Sequence, residues 1–400
     1  MTVRDEAAAI AGEIAELRHA IHREPEIGLD LPKTQRKVLD ALDGLPLEVS
    51  TGTALTSVIA VLRGARLGPA VLLRGDMDAL PVTEASGVEF ASRIDGVMHA
   101  CGHDLHTAML AGAARLLSAR QADLPGSVIF MFQPGEEGQG GARLMIEEGV
   151  LDAAGERPVA AYGLHVLSDR DPTGVFSTRP GPLMAAADVL EVTVRGRGGH
   201  ASRPHASADP IPAACEMVTA LQVMVTRRFD VFDPVVVTVG SFHAGTVNNV
   251  IPDEAVFHAT LRSFSEDSRS RLKTESARIV QHVAEAHGLS AEAKWVPGYP
   301  VTVNDTSEAA FAGGCVADLF GAGRETALRY PVPGAEDFSY VLQEVPGAFV
   351  FLGACPPGTD PAGAPSNHSA RALFDDRVLA DGTALLTQLA LNRLAAAQGQ

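Results

Sequence analysis

The sequence predicts an α/β protein: a discontinuous domain with a helix-flanked mixed sheet, interrupted by an inserted ferredoxin-like α+β domain. Three observations point there. Four hundred residues exceed what one ordinary core organises, so two or more domains are expected. Short apolar runs alternate with helical periodicity in the first part, and several of these runs end in polar clusters. From about Met184 the order becomes strand, helix, strand, strand, helix, strand, that of a ferredoxin-like module, and the earlier pattern then returns. The boundaries read as 1–183, 184–297 and 298–400.

Each element has a local reason. Ile10, Ile14, Leu17 and Ile21 fall on one helical face, and Pro25 stops that helix. Ser57 to Leu62 and Ala70 to Leu73 are strand-like, and the second leads into Arg74-Gly-Asp-Met-Asp. Thr107 to Arg120 is rich in Ala and Leu and predicts a helix. Ser127 to Phe132 reads as a buried strand ending before Glu136 and Glu137, and Ala160 to Leu164 as another ending at His165. In the insert, strands are expected over 189–195, 235–241, 255–263 and 290–295, with helices over 211–227 and 269–288. A strand over 348–352 and a long helix over 376–397 complete the first domain. Where helices flank a sheet, the carboxyl ends of its strands form the crevice that takes ligands. Three polar clusters fall at such ends.

Composition narrows the partners. The formal charge of −17 argues against nucleic acid and anionic membrane, both polyanions. Cys101, Cys215, Cys315 and Cys355 are widely spaced, which disfavours a disulfide framework and suits a reducing compartment. With no signal-like start and no apolar run of about eighteen residues, the cytoplasm is the expected location.

The chemistry is concentrated in a few strings. His99-Ala-Cys-Gly-His-Asp-Leu-His places three imidazoles, a thiol and a carboxylate in one stretch. Cys101 and His103, separated by Gly102, read either as metal ligands or as a buried thiol and a capping imidazole. Glu136 and Glu137 are adjacent, so in extended chain they point in opposite directions and serve different ends; the alternative is a solvated acidic loop. Asp76 and Asp78 alternate and face one side, fit to orient a ligand imidazole, to touch metal, or to form an Asx turn before Pro81. His165 and His368 are isolated, and their meaning depends on neighbours. His200, after two glycines, is a candidate donor to developing negative charge or a solvent-facing hairpin residue, with His205 close by. Asn249 lies in Asn-Val-Ile-Pro. Arg262 follows a strand-like run, where a guanidinium suits a carboxylate ligand or an internal ion pair. The loop Gly334-Ala-Glu-Asp-Phe reads as an acidic helix start, its chemical role open.

Taken together, over nearly the whole chain, these strings resemble the metal-dependent amidohydrolases that include hippurate hydrolase, bacterial aminoacylases and plant indole-acetyl-amino-acid hydrolases. Carboxypeptidase G is a more distant relative of that group. The resemblance implies two divalent ions per subunit (Mn, Zn, Co or Ni) held by Cys101, His103, Glu137, His165 and His368, with the thiolate bridging. It implies Glu136 as general base, His200 reaching an active site across a dimer interface, and Asn249 and Arg262 as contacts to a substrate carboxylate. The insert would then be a lid and dimerisation domain, and the protein a homodimer or higher homo-oligomer. Ala335 departs from the Ser common at that position in relatives, which leaves the metal ligands untouched. The implied reaction is hydrolysis of an N-acyl amino acid. A dipeptidase or carboxypeptidase of the same clan is the alternative, and a metal-loaded binding protein without turnover a third reading.

Overall fold

The computed structural model describes residues 1–397. The chain divides into two units. One comprises Met1–Leu183, Val303–Tyr330 and the chain from Asp337; the other comprises Met184–Thr302 and Pro331–Glu336.

The first unit is built on a mixed eight-stranded sheet. Its spatial order is Glu48–Thr51, Val58–Arg63, Pro125–Gln133, Arg66–Asp76, Ala160–Pro172, Gly347–Cys355, Phe176–Thr178 and Glu325–Ala327. The four central strands, from Pro125–Gln133 to Gly347–Cys355, run parallel. Parallel strands are covered on both faces, so they must be apolar throughout rather than alternating. Val71-Leu72-Leu73 and Val128 to Phe132 are buried without a break. The helices Ala11–Arg23, His103–Ser118 and Val378–Ala397 supply the facing side chains of a single core, among them Ile14, Leu110, Leu117, Leu385 and Leu389.

The parallel register aligns the strand ends. Asp76 pairs with Gln133, and Arg74 with Gly163, so Asp76, the turn after Gln133 and His165 emerge along one edge. The helix His103–Ser118 starts at that edge too. Two expectations need correction. The helix begins at His103, four residues before Thr107, because His103, Asp104 and His106 are buried polar residues that periodicity reads as loop. The strand expected to end before His165 continues to Pro172, held by parallel pairing to Gly347–Cys355 that includes His165 opposite Phe351.

The second unit has a four-stranded antiparallel sheet in the order Val235–Ala244, Glu254–Ser263, Ala186–Arg195, Ser290–Val296. Alternate sheet residues (Leu190, Val192, Val194, Phe257, Ala259) pack with Met217, Leu221, Leu272 and Val280 from the helices Pro210–Arg228 and Glu266–Ala286. This is the period of two that places one face of a sheet against a core. No helix among the described residues is long and apolar enough to cross a membrane. All four cysteines are free.

Behind the shared edge of the first unit, a buried ion network fixes the start of the helix His103–Ser118. Arg18 Nε lies 3.0 Å from Asp104 Oδ2, and Arg18 also bonds Asp376 and the Phe374 carbonyl. His22 Nδ1 lies 2.8 Å from Asp104 Oδ2, and its Nε2 lies 3.2 Å from Glu84 Oε1. Burial alone would depress His22, but Asp104 and Glu84 push it up to about 9. A histidine protonated more readily when folded than unfolded stabilises the fold fully below its unfolded value of about 6.5, and that stability disappears as pH rises through about 9. The contribution amounts to about 3 kcal/mol at most. Urea unfolding of the parent and of His22→Asn should therefore differ most near pH 6 and converge toward pH 10. A gap that stays constant over that range would show that His22 is neutral in the folded chain.

Candidate metal centre

The shared edge of the first unit gathers a thiol, three imidazoles and two carboxylates. Cys101 Sγ lies 3.2 Å from His368 Nε2 and 3.4 Å from His165 Nε2. Ligand atoms of Cys101, His103 and His165 all lie within 4.8 Å of one another, and so do those of Cys101, Glu137 and His368. The two groups share the sulfur. A third group joins His103, Glu136 and Glu137.

Local backbone explains how these side chains meet. Gly102 has φ of 86°, a left-handed conformation that turns the chain between Cys101 and the helix beginning at His103. A Cβ there would come within 2.4 Å of Val166 Cγ2, so the turn is packed directly against the strand carrying His165. Glu136 and Glu137 are not extended, contrary to the sequence expectation. Pro134 and Gly135, the latter with φ of 73°, fold them into a turn, and both carboxylates come near His103. Asp78 holds that turn: its two carboxylate oxygens accept the backbone N–H groups of Glu136 and Glu137, at 2.9 and 3.0 Å. His368 is the one described non-glycine residue with positive φ, 71°. Such strain of about 1–3 kcal/mol persists where surrounding bonds over-determine it, and it gathers at functional sites.

Protonation follows from these settings. His165 Nδ1 lies 2.8 Å from the Val166 carbonyl, so Nδ1 carries the proton and Nε2 presents its lone pair toward the sulfur. Burial, with His106 nearby, keeps His165 well below its ordinary value and therefore neutral. His103 is fully buried, and neither ring nitrogen makes a hydrogen bond, although Asp76 Oδ2 and Asp78 Oδ1 each lie 3.5 Å away. Burial disfavours its charge, but Asp76 and Cys101 hold it well above the ordinary histidine range. His368 is pushed up to about 10 by Cys101 and Glu137. Glu137 Oε1 is buried and lies 3.2 Å from His368 Nε2. A sulfur, imidazole nitrogens (those of His103 without a hydrogen bond) and a carboxylate oxygen in one small volume form a donor set that fits a divalent cation of mixed N, O and S preference.

Several residues outside the predicted ligand set support it. Asp76 Oδ1 lies 2.6 Å from His106 Nδ1, and His106 Nε2 accepts the Val166 N–H at 2.8 Å. Asp76 Oδ2 also takes Arg74 Nη1 at 2.6 Å. Both aspartates in the Arg74-Gly-Asp-Met-Asp string thus hold other residues of the site rather than closing a local turn. Asp337, from the loop with no assigned role, accepts Gln133 Nε2, Arg74 Nη2 and the Ala142 N–H, at 2.8, 3.1 and 2.9 Å. It ties down both ends of the turn bearing the two glutamates. The sequence signal for Arg74 is its charge within an apolar strand.

The remaining candidates belong to the second unit. His200 lies on the strand Gly199–His200, paired with Val250–Ile251, and its Nδ1 lies 2.9 Å from Ser202 Oγ. Asn249 is adjacent, its carbonyl accepting the Ala201 N–H. Arg262 sits on the four-stranded sheet, donating to Thr260 Oγ1 and the Leu261 carbonyl, with no ion pair among the described residues.

Residues 72–392 match Peptidase family M20/M25/M40. Thermostable carboxypeptidase 2 of Saccharolobus solfataricus is 38% identical over 397 residues, covering 97% of each chain. N-acetylcysteine deacetylase of Bacillus subtilis is 38% identical over 338 residues, 84% of this chain and 87% of that protein. Among solved structures, a Bacillus subtilis protein described as a dinuclear metal binding peptidase from the M20 family superposes with a TM-score of 0.83. It is 32% identical and covers 97% of this chain and 99% of its own.

Gly102→Ala tests the tight turn. A left-handed alanine and a 2.4 Å contact with Val166 should together cost about 2–4 kcal/mol, read as a lower urea midpoint with unchanged slope. A parent-like midpoint would show that the turn has room to relax.

Proposed function

The chain belongs to Peptidase family M20/M25/M40, a family of metal-dependent hydrolases of amide bonds, and within it we propose an N-acyl-amino-acid amidohydrolase of the hippurate hydrolase and aminoacylase kind. The carrying observation is the convergence of Cys101, His103, Glu137, His165 and His368 as two ligand groups sharing one sulfur. That arrangement suits two divalent ions (Mn, Zn, Co or Ni), which Cys101, His103, Glu137, His165 and His368 would hold.

Bound divalent metal supplies Lewis-acid polarisation of the scissile carbonyl and acidifies the attacking water. The chain's own residues do the rest. Glu136, buried and with its backbone N–H anchored on Asp78, accepts the proton of the attacking water and passes it to the leaving amine. Asp78 keeps Glu136 and Glu137 in one turn, so base and ligand stay in fixed relation. Asp76 and Asp78, at either side of the His103 ring, restrict its orientation. His200 donates to the developing oxyanion, in keeping with the family resemblance, and the second unit acts as a lid and dimerisation domain. Arg262, a guanidinium without an ion pair, holds the carboxylate of the amino acid with Asn249 beside it. Four free, separated cysteines favour a cytoplasmic, reducing setting.

A carboxypeptidase is the second reading, because the relative covering 97% of each chain carries that name. The two differ in what lies on the acyl side of the bond. After reconstitution with each of the four metals, N-acetyl and N-benzoyl amino acids should be cleaved with kcat/KM at least tenfold above that for dipeptides. The reverse order would favour the carboxypeptidase.

Glu136→Gln should lower kcat about 10²- to 10⁴-fold while metal content stays at the parent value. Unchanged turnover would remove Glu136 from the role of base.

A further inference from the structure

Asn367 precedes His368, and its side-chain amide meets two further ligand-bearing segments. Its Nδ2 donates to the carbonyl of Cys101 at 3.1 Å and to the carbonyl of Val166 at 3.0 Å. Its Oδ1 accepts the backbone N–H of Ser168 at 2.9 Å, with Ser168 Oγ 3.0 Å away. Two carbonyls on one side and an N–H on the other fix the orientation of the amide, since the flipped form would set oxygen against oxygen. Cys101 bears the thiol, Val166 follows His165, and His368 follows Asn367 itself. The partners lie 266 and 201 residues away along the chain, so one carboxamide joins three segments that nothing in the sequence keeps together. The His368 N–H adds a bond to the Ala100 carbonyl at 2.8 Å, and together these contacts hold His368 at its positive φ.

We propose that Asn367 is a positioning residue that sets the spacing between the Cys101 sulfur and the imidazoles of His165 and His368, and thereby the affinity of the centre for metal. The inference rests on the metal-centre reading given under Proposed function. Neither Asn367 oxygen nor nitrogen is needed as a ligand. The residue acts through the two backbone carbonyls and through its Nδ2, 3.9 Å from Cys101 Sγ, so its loss should leave the folded chain in place but widen or misalign the thiol and the two rings. Asn367→Asp puts an acceptor where two carbonyls expect a donor, whereas Asn367→Ser removes the amide without adding charge. Outer hydrogen-bond partners of metal ligands are worth roughly ten- to hundredfold in metal affinity.

The test is cobalt(II) titration of metal-free protein against a competing chelator, following the sulfur-to-cobalt charge-transfer absorption, with urea unfolding of the metal-free forms as control. The expected result is cooperative unfolding, cobalt affinity lowered at least tenfold, and a weakened or shifted charge-transfer band in either variant that folds. A folded variant with the parent's affinity and band would overturn the proposal. So would failure of both variants to fold without metal, since Asn367 would then be a general latch of the fold. If the parent itself takes up cobalt with no charge-transfer band, the metal reading at Cys101 falls first, and the proposal falls with it.

Discussion

The centre depends on confining electron-rich atoms that would otherwise keep apart. A sulfur, three imidazoles and two glutamates share one edge of a sheet, with His103, Glu136 and Cys101 buried there. Burying polar atoms without full hydrogen bonding is costly, and gathering several in one volume is more so. The fold meets that demand with backbone and ion pairs rather than with the donors themselves. Asp78 takes two N–H groups from the glutamate turn, Asp76 takes His106 and Arg74, and Asp337 takes Arg74 and Gln133. Each of these carboxylates is occupied by its own partners, while both ring nitrogens of His103 remain without a hydrogen bond among the described residues.

The supporting acids also explain why the sheet is arranged as it is. Parallel register brings Asp76 level with Gln133, and the same register extends to the strand bearing His165. An antiparallel neighbour would send one of those ends to the far side. The deacetylase and the carboxypeptidase relatives both act, by name, on amide bonds.

Much of this was legible in the sequence because burial and periodicity coincide. Val71 to Leu73, Val128 to Phe132 and the alternating run to Arg195 could hardly be anything but strands, and the structure has strands there. The strands Glu48–Thr51, Phe176–Thr178 and Glu325–Ala327 were not seen, being three or four residues long and set by pairing rather than by pattern. The helices Pro32–Leu42 and Thr306–Phe320 also lie outside what the sequence pattern predicts. Around the site, residue type was informative and geometry was not. Adjacent glutamates imply opposite directions only in extended chain, and the Pro134-Gly135 turn removes that premise. Asn367 was invisible because a single asparagine in a polar loop carries no signal until its partners, some two hundred residues distant, are in place.

The two ligand groups that share the sulfur are not equivalent in how they are held. Cys101, His103 and His165 are set by regular elements: a helix start, a glycine turn packed on a strand, and the strand itself. Core packing sets the course of these segments, and the Asn367 amide ties two of them together at the Cys101 and Val166 carbonyls. Glu137 and His368 come from a turn and a loop, and the His368 side chain is 54% exposed. Nothing in the core fixes them, so specific hydrogen bonds must, from Asp78 on one side and from Asn367 and Ala100 on the other. The left-handed backbone at His368 marks the point where that requirement is strongest. A loop residue under backbone strain at the rim of a buried cluster would relax away unless held, and the bonds found there are those that hold it.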